Sequence, residues 1–91
     1  MLLVLYSKPG CHLCEGLQEK LEEIIENRSF PLLQLEIRDI TTREDWFLAY
    51  QFEIPVLFVA NGEGVESDSQ IPRPSPRLTV LQLEQFLQKY I

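Results

Sequence analysis

The sequence predicts a small α/β fold with the element order β-α-β-α-β-β-α, and three observations predict it. A continuously apolar run, Met1 to Tyr6, stops at Ser7, Pro9 and Gly10 and passes at once into a helix-periodic stretch. A second apolar segment alternates with period two. A third opens at Pro55 and runs into Asn61-Gly62, a strong hairpin signal.

Each element has its own local reason. Met1 to Tyr6 is short and apolar at every position, as expected of a strand buried on both faces. From about His12 to Asn27, Leu13, Leu17, Leu21, Ile24 and Ile25 recur at helical spacing, with Glu15, Glu19, Glu22, Glu23 and Glu26 on the opposite side. Leu33, Leu35 and Ile37 alternate with Gln34, Glu36 and Arg38, giving a strand over 32–37 with one more polar face. Asp39 to Thr42 supplies capping residues for a short helix to about Tyr50, on which Trp46, Phe47, Tyr50 and the following Phe52 read as packing residues. The third strand is expected over Ile54 to Ala60, with an antiparallel return over Gly64 to about Ser67. After Pro72, Pro74 and Pro76, Thr79 is placed to cap a final helix carrying Val80, Leu81, Leu83, Phe86 and Leu87. A helix joins the first two strands, so they should lie parallel. A mixed sheet with helices on both faces buries all of these stripes.

Length and charge narrow the function. At 91 residues the chain fits a single domain, 1–91, with one modest core. A formal charge of −6 and a pI near 4.6 argue against nucleic acid and against anionic membrane surfaces, both of which select clustered Lys and Arg. The N-terminal apolar run is too short to span a bilayer and lacks the flanks of a secretory signal, so a cytoplasmic protein is expected.

The chemistry centres on the only two cysteines, Cys11 and Cys14, in "SKPGCHLCEGL". Cys11 falls where the first helix begins, so unpaired N–H groups and the positive end of the helix dipole face its sulfur and favour the thiolate. Lys8 adds a positive charge nearby, and protonated His12 would stabilise the same thiolate. Cys14 lies three residues on, within disulfide reach, and should be the more buried. A bridge between them closes so short a loop that a purely structural staple is poorly motivated. Three readings stay open. The pair is a redox couple in which Cys11 attacks and Cys14 resolves, or it is idle in a binding module. Alternatively it forms half of a metal or iron–sulfur site completed by a second chain or an external thiol.

"LYSKPGCHLCEGL" and "YQFEIPVLFVANG" together resemble the glutaredoxin-like branch of the thioredoxin superfamily, and the resemblance covers almost the whole chain. It implies a thioredoxin/glutaredoxin-like fold with a small four-stranded mixed sheet. It further implies a thiol–disulfide oxidoreductase acting on a disulfide-containing protein or small thiol, as a monomer without a metal or a required cofactor. Residue by residue, Cys11 matches the nucleophile and Cys14 the resolving thiol. Pro55 matches the proline that follows a cis peptide beside the sulfur. Ile54 would offer its backbone N–H and C=O to an extended substrate, and Lys8 would hold the glutathione carboxylate. Relatives that bind glutathione carry a Gly-Gly pair and an acidic residue before the last helix. Here that stretch reads "SQIPRPSPRLTVLQL", where prolines remove backbone donors and Arg73 and Arg77 offer cations instead. Glutathione stands as a candidate reductant: Lys8 matches a position that holds it, whereas the Gly-Gly pair is absent.

Overall fold

The protein is seen in a computed structural model that describes residues 1–60 and 69–91. The described elements are β1 (Leu2–Ser7), α1 (His12–Glu26), β2 (Gln34–Asp39), a 3-10 turn (Ile40–Thr42), α2 (Glu44–Tyr50), β3 (Val56–Ala60), β4 (Ser69–Ile71) and α3 (Val80–Leu87). The four strands form one mixed sheet in the order β2-β1-β3-β4. β1 is parallel to β2, with Val4 opposite Glu36, and antiparallel to β3, with Val4 opposite Phe58. β3 pairs antiparallel with β4, with Leu57 opposite Ile71. The expected Asn61-Gly62 turn and the return over Gly64 to Ser67 lie outside the described residues.

Strand alternation divides the interior into two layers. Leu3, Leu5, Leu57, Val59 and Ile71 point to the face covered by α1 and α3, where Leu21, Ile24, Leu83 and Leu87 are buried against them. Val4, Tyr6 and Val56 point to the other face and pack with Ile40, Trp46, Phe47 and Tyr50. β1 is central and buried on both sides, which is why its sequence is apolar throughout. Burying each of these leucines contributes roughly 1.5–3 kcal/mol, so both helical layers depend on the sheet between them.

The second layer also holds an aromatic and cationic stack. Tyr6 lies 4.5 Å from Tyr50 and meets Trp46 edge-on at 5.7 Å, between ring centroids. Arg38 donates to the Tyr6 hydroxyl at 2.8 Å, pairs with Glu36, and sits 5.5 Å over the Trp46 ring. A tyrosine that is 7% exposed in the central strand thereby keeps its hydroxyl satisfied.

Several boundaries differ from expectation, each for a local reason. β2 begins at Gln34 and runs to Asp39, because Leu32 is 84% exposed and the Leu33 N–H is taken by the Phe30 carbonyl. The expected helix from Asp39 is broken: Asp39 caps only the 3-10 turn, and Arg43 is extended (φ −141°, ψ 130°) before α2 starts. Arg43 in that conformation lies 4.8 Å over the Trp46 ring and pairs with Asp45. β3 starts at Val56, since the Ile54 N–H donates to the Tyr50 carbonyl and the Ile54–Pro55 peptide is cis. Phe52 is 91% exposed and does not pack. Leu13 is half-exposed and leaves the core that Leu17 and Leu21 join. α3 starts as expected, with a capping box in which Thr79 accepts from the Gln82 N–H and Gln82 accepts from the Thr79 N–H.

Hydrogen bonds from the Thr41 hydroxyl (2.6 Å) and the Thr41 N–H (2.8 Å) hold the Asp39 carboxyl below the usual carboxylate range. A carboxyl lowered on folding adds stability above its unfolded value, near 3.9, and that stability is lost as the pH falls through the folded value. Asp39→Asn keeps an acceptor but cannot ionise. Its urea midpoint is expected to lie below that of the parent above about pH 5, and the two are expected to converge as the pH falls through the lowered folded value.

Candidate functional site

The site is built at the passage from β1 to α1. The Cys11 N–H donates to the Lys8 carbonyl at 3.3 Å, closing a tight turn in which Gly10 takes φ +84°. A side chain is disfavoured at that φ, so glycine lets the chain reverse without strain. Cys11 is then the N-cap of α1, in an extended conformation (φ −86°, ψ 102°). Its carbonyl accepts the first helical bond from the Glu15 N–H at 3.0 Å, and its sulfur accepts from the Cys14 N–H at 3.2 Å.

Cys11 and Cys14 are joined as a disulfide, with their Cα atoms 5.3 Å apart. The pair is asymmetric. Cys14 is 1% exposed, whereas Cys11 keeps part of its surface in solvent. The greater burial expected of Cys14 is therefore observed, and it follows from the helix facing its first turn toward the sheet.

The remaining predicted residues fall in different places. Lys8 is exposed in the turn and makes no ion pair among the described residues. The side chain of His12 is 94% exposed, and its Nδ1 lies 3.6 Å from a Glu15 carboxylate oxygen. Pro55 is buried and follows a cis peptide. Ile54 immediately precedes that cis peptide. Its N–H donates to the Tyr50 carbonyl at 3.1 Å, and its carbonyl receives Arg73 Nη1 at 3.4 Å, so both backbone groups already have partners within the chain. The N–H is committed to Tyr50, whereas the carbonyl, with two lone pairs, still has room for a second donor.

A groove of about 260 Å³ links these pieces. Leu13, from between the cysteines, and Pro55 both line it, with Gly16, Leu17, Pro74 and Leu78. One wall is the proline-rich segment before α3, tied to α1 by Lys20, whose ammonium donates to the Pro76 carbonyl (2.9 Å) and the Leu78 carbonyl (2.7 Å). Sequence reasoning misses Gly16 and Lys20. An isolated glycine inside a helical pattern is the one available signal; Lys20 gives none, since its partners lie 56 and 58 residues away. Among the described residues, no three or more His, Cys, Asp or Glu side chains converge on a point where a metal ion could sit, and no helix is long and apolar enough to cross a membrane.

A four-stranded β2-β1-β3-β4 sheet, with a Cys-x-x-Cys pair at the start of α1 and a cis-proline before β3, defines a protein of the thioredoxin-like class. Solved structures agree. Thioredoxin 1 from the thermophilic eubacterium Thermosipho africanus TCF52B superposes with a TM-score of 0.62 at 15% identity, covering 99% of this chain and 93% of its own. A malarial protein superposes with a TM-score of 0.66 at 11% identity, covering 99% of this chain and 96% of its own. At these identities the likeness concerns the fold alone. Among curated proteins none matches the sequence. The sequence itself matches the model of the glutaredoxin-like domain (DUF836) over residues 2–88, and the chain belongs to that family.

The two described glycines of the site should respond oppositely to alanine. Gly10→Ala forces a side chain to a positive φ and is expected to lower stability by about 1–2 kcal/mol. Gly16 is helical, and a Cβ added there meets nothing within 4 Å, so Gly16→Ala is expected to raise stability by about 0.5–1 kcal/mol. Urea unfolding of both variants in the oxidised form measures the contrast.

Proposed function

We propose that the protein is a thiol–disulfide oxidoreductase in which Cys11 is the nucleophile and Cys14 the resolving thiol. The observation that carries this reading is the position of the Cys11 sulfur as the cap of α1. In the reduced protein the same Cys14 N–H, together with the helix dipole, would favour a thiolate at Cys11. A buried Cys14 in an apolar setting lacks that support until its partner has reacted.

The reaction runs in two balanced steps. The Cys11 thiolate attacks one sulfur of a substrate disulfide, forming a mixed disulfide and releasing the other sulfur as a thiolate, which takes up a proton from solvent. Cys14 loses its proton to solvent and attacks the Cys11 sulfur, releasing the second substrate sulfur as a thiolate that takes up a proton from solvent. Two electrons pass from the protein dithiol to the substrate, and the protein is left as the Cys11–Cys14 disulfide. An external small thiol or protein dithiol restores the reduced form by the reverse exchange. A reducing compartment such as the cytoplasm suits a couple that works in this direction.

Lys8 and Pro55 frame the approach to the sulfur in this reading: Lys8 as an exposed cation on the turn, and Pro55 as a wall without a backbone N–H. Ile54 contributes less than the family resemblance implies, because its N–H is already bonded to Tyr50. His12 faces Glu15 and acts on Cys11 only through the general field of the first turn.

Trapping separates the two thiols. Reduced Cys14→Ser treated with 2-hydroxyethyl disulfide is expected to accumulate a stable adduct on Cys11, visible by intact mass and peptide mapping. Cys11→Ser should give no comparable adduct on Cys14 at neutral pH. It should fold normally, because serine is a better N-cap than cysteine. Preferential labelling of Cys14, or equal labelling of both, contradicts the proposed roles.

A further inference from the structure

Gly16 is the entry to a second property of the groove. It occupies the interior of α1, where glycine is less favourable than alanine, yet neither a positive φ nor a close neighbour requires it. A Cβ at this position would point into empty space, and Gly16 lines the groove beside Pro55. The missing side chain keeps the groove open at a cost to the helix. An open apolar groove that reaches Leu13, between the two cysteines, invites an occupant.

Charge says what kind of occupant. In a chain of net charge −6, the charged residues that line the groove among the described residues are both cations, Lys20 and Arg73. They are not equivalent. Lys20 is committed to two carbonyls at 2.7 and 2.9 Å, and it also borders the acidic face formed by Glu19, Glu22, Glu23 and Glu26. Arg73 makes one long contact, 3.4 Å to the Ile54 carbonyl, and meets no carboxylate at ion-pair distance among the described residues. Glu53 shares a neighbouring depression with Arg73 and Pro55 without closing on it. Among the described residues the Arg73 guanidinium thus keeps most of its planar fork of donors for a ligand, whereas Lys20 is already engaged. With the Ile54 N–H engaged internally, side chains must supply recognition that strand addition would otherwise give.

We propose that the groove binds an acidic cysteine-bearing segment of a partner protein. An apolar side chain of that segment fills the space beside Gly16 and Leu17, and a carboxylate pairs with Arg73. This deepens the oxidoreductase reading by naming its partner class, and it rests on that reading only for the thiol exchange after docking.

The test uses short peptides in which serine replaces the cysteine to be attacked, so that docking is read without exchange. Acetylated, amidated Gly-Leu-Ser-Glu-Gly and the reversed order Gly-Glu-Ser-Leu-Gly are titrated into the oxidised, nitrogen-15-labelled protein. Matched peptides carry Lys for Glu, or Gly for Leu. One order is expected to shift the Gly16 and Leu17 amides and to bind about tenfold more tightly than its Lys counterpart at low salt, with the difference shrinking as salt is added. Arg73→Gln should erase the Glu-over-Lys preference, and Gly16→Leu should abolish the shifts while melting no lower than the parent. No shift of those amides with any peptide up to about 5 mM overturns the proposal. So does a preference that survives Arg73→Gln, equal binding of the Leu and Gly peptides, or undiminished binding to Gly16→Leu. These probes carry no thiol, so failure here is distinct from a failure of Cys11 to exchange with small disulfides.

Discussion

Between Ser7 and His12 the chain has to leave a strand buried on both faces and begin a helix, and only Lys8, Pro9, Gly10 and Cys11 are available for it. The reversal is achieved by the Cys11 N–H to Lys8 carbonyl bond and by a Gly10 φ of +84°. Everything distinctive about the site depends on this junction. It makes Cys11 the residue whose side chain meets the free N–H groups of α1, and it turns Cys14 inward, where it is 1% exposed. Serine, threonine, aspartate and asparagine are the usual choices for such a cap. A sulfur that accepts from the Cys14 N–H at 3.2 Å trades some of that capping strength for a reactive atom.

The second constraint is the proline-rich segment that leads into α3. Pro72, Pro74 and Pro76 cannot donate from their backbones, so the segment is held by side chains. Lys20 reaches from α1 to its carbonyls, and Arg73 reaches from the segment to the Ile54 carbonyl beside the cis-proline. These contacts close one wall of the groove at the Cys11 end of the sheet. They also set this chain apart from the pattern of glutathione-binding relatives, in which a Gly-Gly pair occupies the corresponding position. Where those relatives carry backbone donors, this segment carries Arg73 and Arg77.

Much of this is legible in the sequence, and the reason is that the informative signals are local. The apolar β1, the helical spacing of Leu17, Leu21 and Ile24, and the Thr79 cap each depend on neighbours within a few residues, and each appears in the structure. The cysteine pair at a strand-to-helix junction belongs to the same group. What escapes depends on contacts that spacing does not encode. Periodicity places Leu13 on the apolar side of α1, yet it is half-exposed and lines the groove. Phe52 reads as packing on its hydrophobicity, yet it sits in the turn after α2 and is 91% exposed. The partner of the Ile54 N–H is fixed by how that turn closes on Tyr50. At the break the extended Arg43 lies over the Trp46 ring, a side-chain contact that helical spacing does not encode.

The state of the Cys11 sulfur in the reduced protein decides whether the start of α1 creates a nucleophile. The most direct measurement is the rate of iodoacetamide alkylation at each cysteine across pH, followed by mass spectrometry. Cys11 is expected to react as a thiolate with an apparent pKa clearly below the ordinary thiol value of ~8.5, and to react faster than Cys14 at neutral pH. An unshifted Cys11 that reacts no faster than Cys14 would contradict the claim that the start of α1 makes it the nucleophile.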